Sequence, residues 1–356
     1  MPHLFIPGPV DVDPDVMEAQ TNPMMPHRSA EFETIFRGTE AKLKQVFFTE
    51  SRVFQPPSSG TGMQEAGVRN LAQQDILSCI NGAFSERWHQ VAVTNGKQAD
   101  RLEAAWGEPI LPDALAAALK QKKYEAVTIV HNETSTGVVN PLEELATVVH
   151  EISPDTLILV DAVSSLGGMK IDTDGWGLDF VLTSSQKCLA LPPGMSFAAV
   201  SDRALKKAET VENRGWYFDL LRLEKHRIKN STPMTPTMSL IWALDVQLDK
   251  MLAEGLEARF ARHAAMADRV QSWAVDHGME SLAPEGYRSK TVSTIKNLRG
   301  VDIAALNKFL MDKGMRIANG YGNLKNETFR IAHMGETRMH HIDELLDAFE
   351  TFIEKM

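Results

Sequence analysis

Two side chains that can do amine chemistry follow apolar segments of this sequence. Asp161 ends the apolar run 157–161, and Lys187 stands shortly after the run 179–182. Both runs are typical of buried parallel strands, whose carboxyl ends meet at one edge of a sheet. An amine near apolar walls has its charged form desolvated, which lowers its pKa and frees it to form a Schiff base with an aldehyde. A carboxylate beside it can hold a protonated ring nitrogen, so we predict that the two residues share one site.

Each of the two residues also has a structural explanation. Asp161 could cap the segment that follows it, and Lys187 could be a surface residue in a turn. Residues 188–194, however, are apolar and turn-rich, whereas a solvated lysine loop is usually more polar. The pair has the chemistry that pyridoxal phosphate requires, with a carboxylate on the pyridine nitrogen and a lysine on the aldehyde. We therefore predict this cofactor, with Asp161 and Lys187 as the catalytic residues.

Size and composition narrow the class of protein. The 356 residues carry 37 basic and 47 acidic side chains, a net charge of −10, whereas nucleic-acid binding proteins usually carry a basic face. No apolar stretch approaches the roughly 20 residues that cross a bilayer, and residues 1–7 lack the basic region of a signal peptide. Cys79 and Cys188 are the only cysteines, and no Cys/His cluster has zinc spacing. We expect a cytoplasmic protein with no metal, no nucleic-acid partner and no membrane anchor.

Strand-like and helix-like runs alternate through the first two-thirds of the chain, which indicates a mostly parallel sheet covered on both faces. Besides the runs before Asp161 and Lys187, the predicted strands are 52–54, 75–80, 90–93, 127–130 and 196–200. The predicted helices between them are 63–72, 112–119 and 142–152. A long amphipathic pattern at about 238–277 leads to a second part with strands 291–295 and 329–331 and helices 302–312 and 339–355. We predict an α/β fold with an N-terminal arm (1–18), a large domain (19–250) and a smaller C-terminal α/β domain (251–356).

Several motifs, in order along the chain, resemble those of one enzyme family. They are PGPV at 7–10, HRS at 27–29, SGTG at 59–62, HNETSTG at 131–137, VDAVSSLGG at 160–168, SQK at 185–187 with PPG at 192–194, and FRIAHMG at 329–335. The chain resembles the class V aminotransferases of fold type I over nearly its whole length, most closely the alanine–glyoxylate and serine–glyoxylate (serine–pyruvate) enzymes. The resemblance implies the fold type I architecture and the same pyridoxal phosphate cofactor.

The resemblance also assigns cofactor contacts. Besides Asp161 and Lys187, it implies the cofactor-binding residues Thr61, Gly62, Phe84, Thr134, Gln186 and Thr235. Backbone N–H groups of segment 59–62, ahead of a helix, suit the phosphate, and Phe84 matches the aromatic residue that stacks on the ring. Met63 stands where animal alanine–glyoxylate enzymes have a histidine, so one phosphate donor is missing or comes from elsewhere. His131 could act as a base, although a hydrogen-bonded structural histidine is an equally good interpretation.

Substrate and partner contacts follow from the same resemblance. Arg330 offers a planar fork for the α-carboxylate of a substrate, with a structural ion pair as the alternative. Gly8 is the second substrate-binding residue that the resemblance implies. Segment 232–236 and the arm at 7–9 resemble elements that cross a dimer interface, where Thr235 would reach the neighbouring subunit's phosphate. We therefore predict a homodimer with composite active sites.

The predicted reaction moves the amino group of a small amino acid, alanine or serine, to a small 2-oxo acid, glyoxylate or pyruvate. A cysteine desulfurase or another lyase of this fold is an alternative, but a desulfurase needs a nucleophilic cysteine in a C-terminal loop. Phosphoserine aminotransferase is a second alternative, because His27 and Arg28 could meet a substrate phosphate. A non-enzymatic binding protein would need neither Asp161 nor Lys187.

Overall fold

The computed structural model describes residues 3–355, which form three sheets and the helices around them. The strands are β1 (His3–Phe5), β2 (Arg52–Phe54), β3 (Asp75–Ile80), β4 (Gln98–Glu103), β5 (Ala126–Val130), β6 (Asn132–Glu133), β7 (Val138–Val139), β8 (Leu157–Asp161), β9 (Phe180–Ser184), β10 (Ser196–Val200), β11 (Glu280–Ser281), β12 (Val292–Lys296), β13 (Met315–Asn319) and β14 (Thr328–Ala332).

The α-helices cover both faces of the larger sheet and one side of the smaller one. They are α1 (Pro14–Ala19), α2 (Ala30–Phe47), α3 (Gly60–Leu71), α4 (Ala83–Thr94), α5 (Pro112–Gln121), α6 (Leu142–Ile152), α7 (Asp202–Thr210), α8 (Leu220–Arg227), α9 (Met238–Glu254), α10 (Leu256–Asp276), α11 (Ile303–Asp312) and α12 (Met339–Ile353). One turn of 3₁₀ helix lies at Gly322–Leu324.

The larger sheet has seven strands in the order β2-β10-β9-β8-β5-β3-β4. Its strands β4, β3, β5, β8 and β9 run parallel, whereas β10 pairs antiparallel with both β9 and β2. Every residue of β5, β8, β9 and β10 is buried, as expected for short apolar strands covered on both faces. The predicted α/β fold with a mostly parallel sheet is confirmed.

The smaller sheet has five strands in the order β1-β13-β14-β12-β11. Strand β1, from the N-terminal arm, pairs parallel with β13 at its edge, so the first described residues join the C-terminal part of the chain. Helices α10, α11 and α12 cover this sheet through a separate apolar core that includes Trp273, Phe329 and Phe349. The division of the chain at residues 18 and 250 stays a prediction.

One local prediction was wrong. The predicted strand 90–93 lies inside α4, because its alternation is too short to distinguish a strand from one turn of helix, and the neighbouring strand β4 is an exposed, polar edge strand. The long pattern predicted at 238–277 is two helices, α9 and α10. They meet at Gly255, whose φ of +83° lies in the region that favours glycine.

Residues 3–355 contain no helix that is both long and apolar enough to cross a membrane. The same residues bring together no group of three or more His, Cys, Asp or Glu side chains that could hold a metal ion.

Candidate active site

A cavity of about 140 Å³ opens at the carboxyl edge of the larger sheet. The last residues of three parallel strands, Val130, Asp161 and Ser184, form part of its wall. Six of the predicted site residues line it: Thr61, Phe84, Thr134, Asp161, Gln186 and Lys187. The sheet topology is the reason, because neighbouring parallel strands deliver the residues that follow them to the same edge.

Asp161 is the last residue of β8 and is only 5% exposed. One carboxylate oxygen accepts a hydrogen bond of 2.9 Å from the amide of Val163, and the other accepts one of 2.7 Å from the side chain of Gln64. Burial raises the pKa of Asp161 to about 6, against these two hydrogen bonds, which lower it. A cationic group bound beside the carboxylate would favour its charged form. The residue is therefore suited to a protonated ring nitrogen.

Lys187 lies three residues beyond β9, in the turn before β10, and is 8% exposed. Burial, with smaller contributions from the charges of Arg330 and Arg87, lowers its pKa to about 8. Its Nζ donates a hydrogen bond to the carbonyl of Pro7 in the N-terminal arm. A Cβ at Gly8, whose φ is +85°, would lie 2.7 Å from the lysine Cδ, so only glycine lets the arm pass this closely.

The N-terminus of α3 supplies the positive end of a helix dipole to the cavity, through Ser59, Gly60 and Thr61. Ser59 caps the helix by accepting a hydrogen bond of 3.3 Å from the amide of Gly62. Gly62 itself does not line the cavity, and Met63 is fully buried in the apolar core instead of facing it. The chain therefore offers backbone N–H groups and hydroxyls, but no histidine, at this helix end.

Phe84, the second residue of α4, presents an aromatic ring to the cavity. Buried Glu133 fixes the start of this helix, because its carboxylate accepts hydrogen bonds from the amides of Phe84 (3.1 Å) and Ser85 (2.9 Å). The ring of Tyr321 lies against the ring of Phe84, with 5.4 Å between the two ring centroids. The ring is therefore held from two parts of the chain and can cover a flat ligand.

Arg330 projects from β14 beside the cavity and is 8% exposed. Its guanidinium donates to the carbonyls of Asn319 (3.0 Å) and Thr134 (3.4 Å), and its Cζ lies 5.4 Å from the ring centroid of Tyr321. Burial lowers the pKa of Arg330 to about 10. It forms no ion pair with a carboxylate in residues 3–355, so the structural alternative of an internal ion pair has no support there.

Four other residues considered from the sequence do not line the cavity. Thr235 is exposed in the segment before α9, and neither His27 nor Arg28 lines the cavity. His131 is buried, and its Nδ1 lies 2.9 Å from Oγ of Ser165; burial lowers its pKa to about 4. These contacts favour the structural interpretation of His131 over its use as a base.

The cavity residues fit pyridoxal phosphate. Three buried polar atoms on its lining residues have no hydrogen-bond partner in residues 3–355, namely Gln64 Oε1, Asn132 Oδ1 and Ser184 Oγ. Buried polar atoms are normally paired, so these are available to a polar ligand. An amine, a carboxylate, an aromatic ring and a helix N-terminus are the groups that the cofactor's aldehyde, ring nitrogen, ring face and phosphate require.

Three residues at the site were not predicted from the sequence, namely Gln64, Arg87 and Tyr321. Gln64 and Arg87 each stand one helical turn beyond a residue that was predicted, Thr61 and Phe84 respectively. Residues three apart on a helix lie on the same face, so this spacing is a signal that could have found both. No comparable signal in the sequence indicates Tyr321, because its position at the site depends on how the C-terminal part of the chain packs against α4.

Several known proteins of similar sequence are named aminotransferases, and two others, from Synechococcus sp. (34% identical) and Anabaena cylindrica (36% identical), are named soluble hydrogenase subunits. An uncharacterised aminotransferase of Methanocaldococcus jannaschii is 37% identical, over 93% of this chain and 87% of the relative. An L-aspartate–glyoxylate aminotransferase of Paracoccus denitrificans is 33% identical, over 93% and 86% of the two chains. A serine–glyoxylate aminotransferase of Methylorubrum extorquens is also 33% identical, over 94% and 86%.

Solved structures of the same kind superimpose on the whole chain. An alanine–glyoxylate aminotransferase of Nostoc sp. has a TM-score of 0.93 and 30% identity, over 99% of this chain and 95% of the other. A phosphoserine aminotransferase of Cytophaga hutchinsonii has a TM-score of 0.90 and 26% identity, over 98% of each chain. Residues 15–328 match the aminotransferase class-V family. The chain is therefore a member of the class-V aminotransferases, enzymes with the fold type I architecture that transfer amino groups with pyridoxal phosphate.

Proposed function

We propose that this enzyme transfers the amino group of a small amino acid, alanine or serine, to a small 2-oxo acid, glyoxylate or pyruvate. One observation carries the proposal: a lysine and an aspartate, each more than nine-tenths buried, line the same cavity at the sheet edge. The names of the serine–glyoxylate and alanine–glyoxylate relatives support this substrate class.

Each cavity residue has a task in this reaction. Bound pyridoxal phosphate supplies an aldehyde that bonds to amines and a ring that accepts electron density from the substrate Cα. Asp161 would hold the proton on the ring nitrogen, and Lys187, whose pKa burial lowers to about 8, would be the base that moves the Cα proton. Phe84 covers the ring, Thr134 and Gln186 contact it, and the α3 N-terminus with Thr61 binds the phosphate.

Arg330 binds the α-carboxylate that the amino donor and the 2-oxo acid share. Its guanidinium is oriented by two backbone carbonyls, yet it has no carboxylate partner in the described chain. A buried guanidinium with free N–H groups favours a bidentate carboxylate. Gly8 lets the N-terminal arm approach Lys187 and so shapes the substrate side of the cavity.

The alternative reactions have less support. Burial raises the pKa of Cys79 to about 12 and that of Cys188 to about 11, and both thiols are fully buried, whereas a desulfurase needs an accessible thiolate. For phosphoserine, the structural relative is only 26% identical, and neither His27 nor Arg28 lines the cavity of this chain. No observation favours either reaction over amino-group transfer from alanine or serine.

The proposal includes a cytoplasmic homodimer. Thr235 is exposed and its side chain forms no hydrogen bond within residues 3–355, which suits its assignment to the phosphate of a neighbouring subunit. Both cysteines are buried and free, as is usual for proteins in a reducing compartment. Analytical ultracentrifugation at assay concentrations tests the dimer; a fully active monomer would contradict it. Thr235→Ala should weaken cofactor binding, measured by titration of the apoenzyme.

A panel of amino donors and 2-oxo acceptors tests the reaction itself. The purified protein is loaded with pyridoxal phosphate, and its visible absorption is followed as each donor is added without acceptor. We expect alanine and serine to convert the cofactor, and glyoxylate or pyruvate to restore it. A protein that binds the cofactor but converts it with no amino acid is not an aminotransferase of these substrates.

A further inference from the structure

Besides Arg330 next to the cavity, a second guanidinium, that of Arg87, lines the cavity wall, and the proposed reaction of alanine or serine leaves it unused. Arg87 lies on α4, one turn after Phe84. Its Cζ lies 4.9 Å from the Phe84 ring centroid, and its Nη2 donates to the hydroxyl of Tyr321 at 3.1 Å. The aromatic ring and the tyrosine hydroxyl therefore fix the position of the guanidinium.

No carboxylate in residues 3–355 neutralises Arg87. The adjacent Glu86 pairs with Arg101 at 2.7 Å, on the outside of the helix. Glu133, the acidic residue nearest to the start of α4, accepts hydrogen bonds from the helix amides instead. A half-buried guanidinium whose charge is left unpaired needs an anion from elsewhere.

Tyr321 connects the two arginines. Its hydroxyl accepts from Arg87, and Arg330 Cζ lies 5.4 Å from its ring centroid. One aromatic residue thus has a guanidinium at its hydroxyl and another near its ring, and neither guanidinium has an acidic partner in the described chain. A substrate with a single carboxylate can satisfy only one of them.

We propose that Arg87, together with the Tyr321 hydroxyl, forms a second carboxylate subsite, so that the enzyme also takes dicarboxylic amino acids and their 2-oxo acids. This inference rests on the proposed function: Arg330 binds the α-carboxylate, and Arg87 binds the carboxylate of the side chain. A charge-assisted contact of this kind would let the enzyme distinguish aspartate or glutamate from alanine. All three amino acids carry the same amino group, carboxylate and hydrogen at Cα and differ only in the side chain.

Equilibrium binding of unreactive acids tests the subsite without any turnover. Succinate, glutarate, acetate and propionate are titrated into the holoenzyme and followed by the cofactor's absorption and by thermal stability. We expect a dicarboxylate to bind at least about 10-fold more tightly than the monocarboxylates, since a hydrogen bond to a charged group contributes roughly that factor or more. Equal affinities for both kinds of acid would overturn the proposal.

Variants of the subsite sharpen the test. Arg87→Gln should remove the preference for dicarboxylates and lower kcat/KM for aspartate or glutamate by about 10- to 100-fold, a clearly larger loss than that for alanine. Tyr321→Phe should cause a smaller loss in the same direction. Arg269→Gln, which removes a surface arginine that pairs with Asp343, is the matched control.

Two other outcomes would assign Arg87 differently. Weaker cofactor binding in Arg87→Gln would mean that it neutralises the phosphate, and an equal loss for both kinds of acid would mean that it only positions Phe84. Failure of the proposed function is distinguishable: the wild-type enzyme would then convert no amino donor, whereas the binding titration would still show whether the subsite exists.

Discussion

The two edges of the seven-stranded sheet both carry basic side chains, but only the carboxyl edge leaves buried cations, Lys187 and Arg330, without an ion pair in residues 3–355. At the amino edge, a cleft of about 810 Å³ is lined by six lysines and arginines. Three of them are paired: Lys122 with Asp75 and Asp100, Arg203 with Asp179, and Lys207 with Glu125, all at 2.6–2.9 Å. At the carboxyl edge, Lys187, Arg87 and Arg330 form no ion pair within the described chain.

The difference shows which property locates the site. The amino-edge cleft is several times larger, yet three of its six cations already have acidic partners, and the other three are exposed lysines. Leaving a buried charge unpaired costs free energy, so a protein retains it where a ligand supplies the opposite charge. In this molecule unpaired, buried charge locates the functional site, and cavity volume does not.

The largest expected effect is that of removing the lysine at the carboxyl edge. Lys187→Ala should lower transamination by on the order of 10⁴-fold, because the variant loses the base that moves the Cα proton. Cofactor should still bind through the phosphate and ring contacts. Borohydride reduction of the wild-type holoenzyme followed by peptide mapping identifies the lysine that carries the cofactor. A label on any lysine of the amino edge would place the cofactor site at that edge instead.

Asp161→Asn should have the next largest effect. A neutral amide cannot hold the proton on the ring nitrogen, so we expect turnover to fall by roughly 100- to 1,000-fold, the range for a group that stabilises developing charge. Circular dichroism and cofactor titration should show an intact fold that still binds cofactor. A loss below about tenfold, or 1.4 kcal/mol of barrier, would make Asp161 a structural cap of the turn at Val163.

Arg330→Leu should raise KM for the amino donor and the 2-oxo acid alike. The expected loss is about 2–5 kcal/mol in kcat/KM, that of removing one partner from a desolvated charge pair. Arg330→Lys should recover little, since an ammonium group does not provide the planar fork. Stopped-flow measurement of the two half-reactions checks it: a defect in only one would show that Arg330 contacts a side chain instead of the shared carboxylate.

Asp161 and Lys187, at the carboxyl edge of the sheet, were easier to predict from the sequence than the residues around them. Asp161 and Lys187 could be found because apolar strand runs of fixed direction end just before them. Phe84 and Thr134 needed the resemblance to the family, since a phenylalanine or threonine after a strand has many structural uses. Tyr321 could not be found, because its contact with Arg87 forms only when the smaller sheet packs against α4.

The sequence could not predict that the cations at the amino edge are paired, for a related reason. Its ion pairs join residues far apart in the chain, such as Lys207 and Glu125, so no local pattern shows that these cations are already neutralised. A lysine-rich segment such as 120–123 looks the same whether its charges are paired or free. Pairing is a property of the tertiary structure, and it is what separates the two edges.

The smallest expected effect is that of breaking a pair at the amino edge. Burial alone would raise the pKa of Glu125, but hydrogen bonds from Lys207 and from the amides of residues 73–75 lower it to about 2. Lys207→Gln should therefore lower the free energy of unfolding at pH 7 by at most about 1 kcal/mol and leave kcat/KM unchanged, because the pair is structural.

The pH dependence of that effect gives the comparison its strictest test. Because the folded pKa of Glu125 lies below its ordinary value of 4.5, its stabilising contribution is present above about pH 4.5 and is lost as the pH falls toward 2. The stability difference between wild type and Lys207→Gln, measured by urea unfolding, should accordingly shrink as the pH falls from about 4.5 toward 2. A variant that instead lost activity at pH 7 with unchanged stability would show that the amino edge is functional, and that unpaired charge does not identify the site.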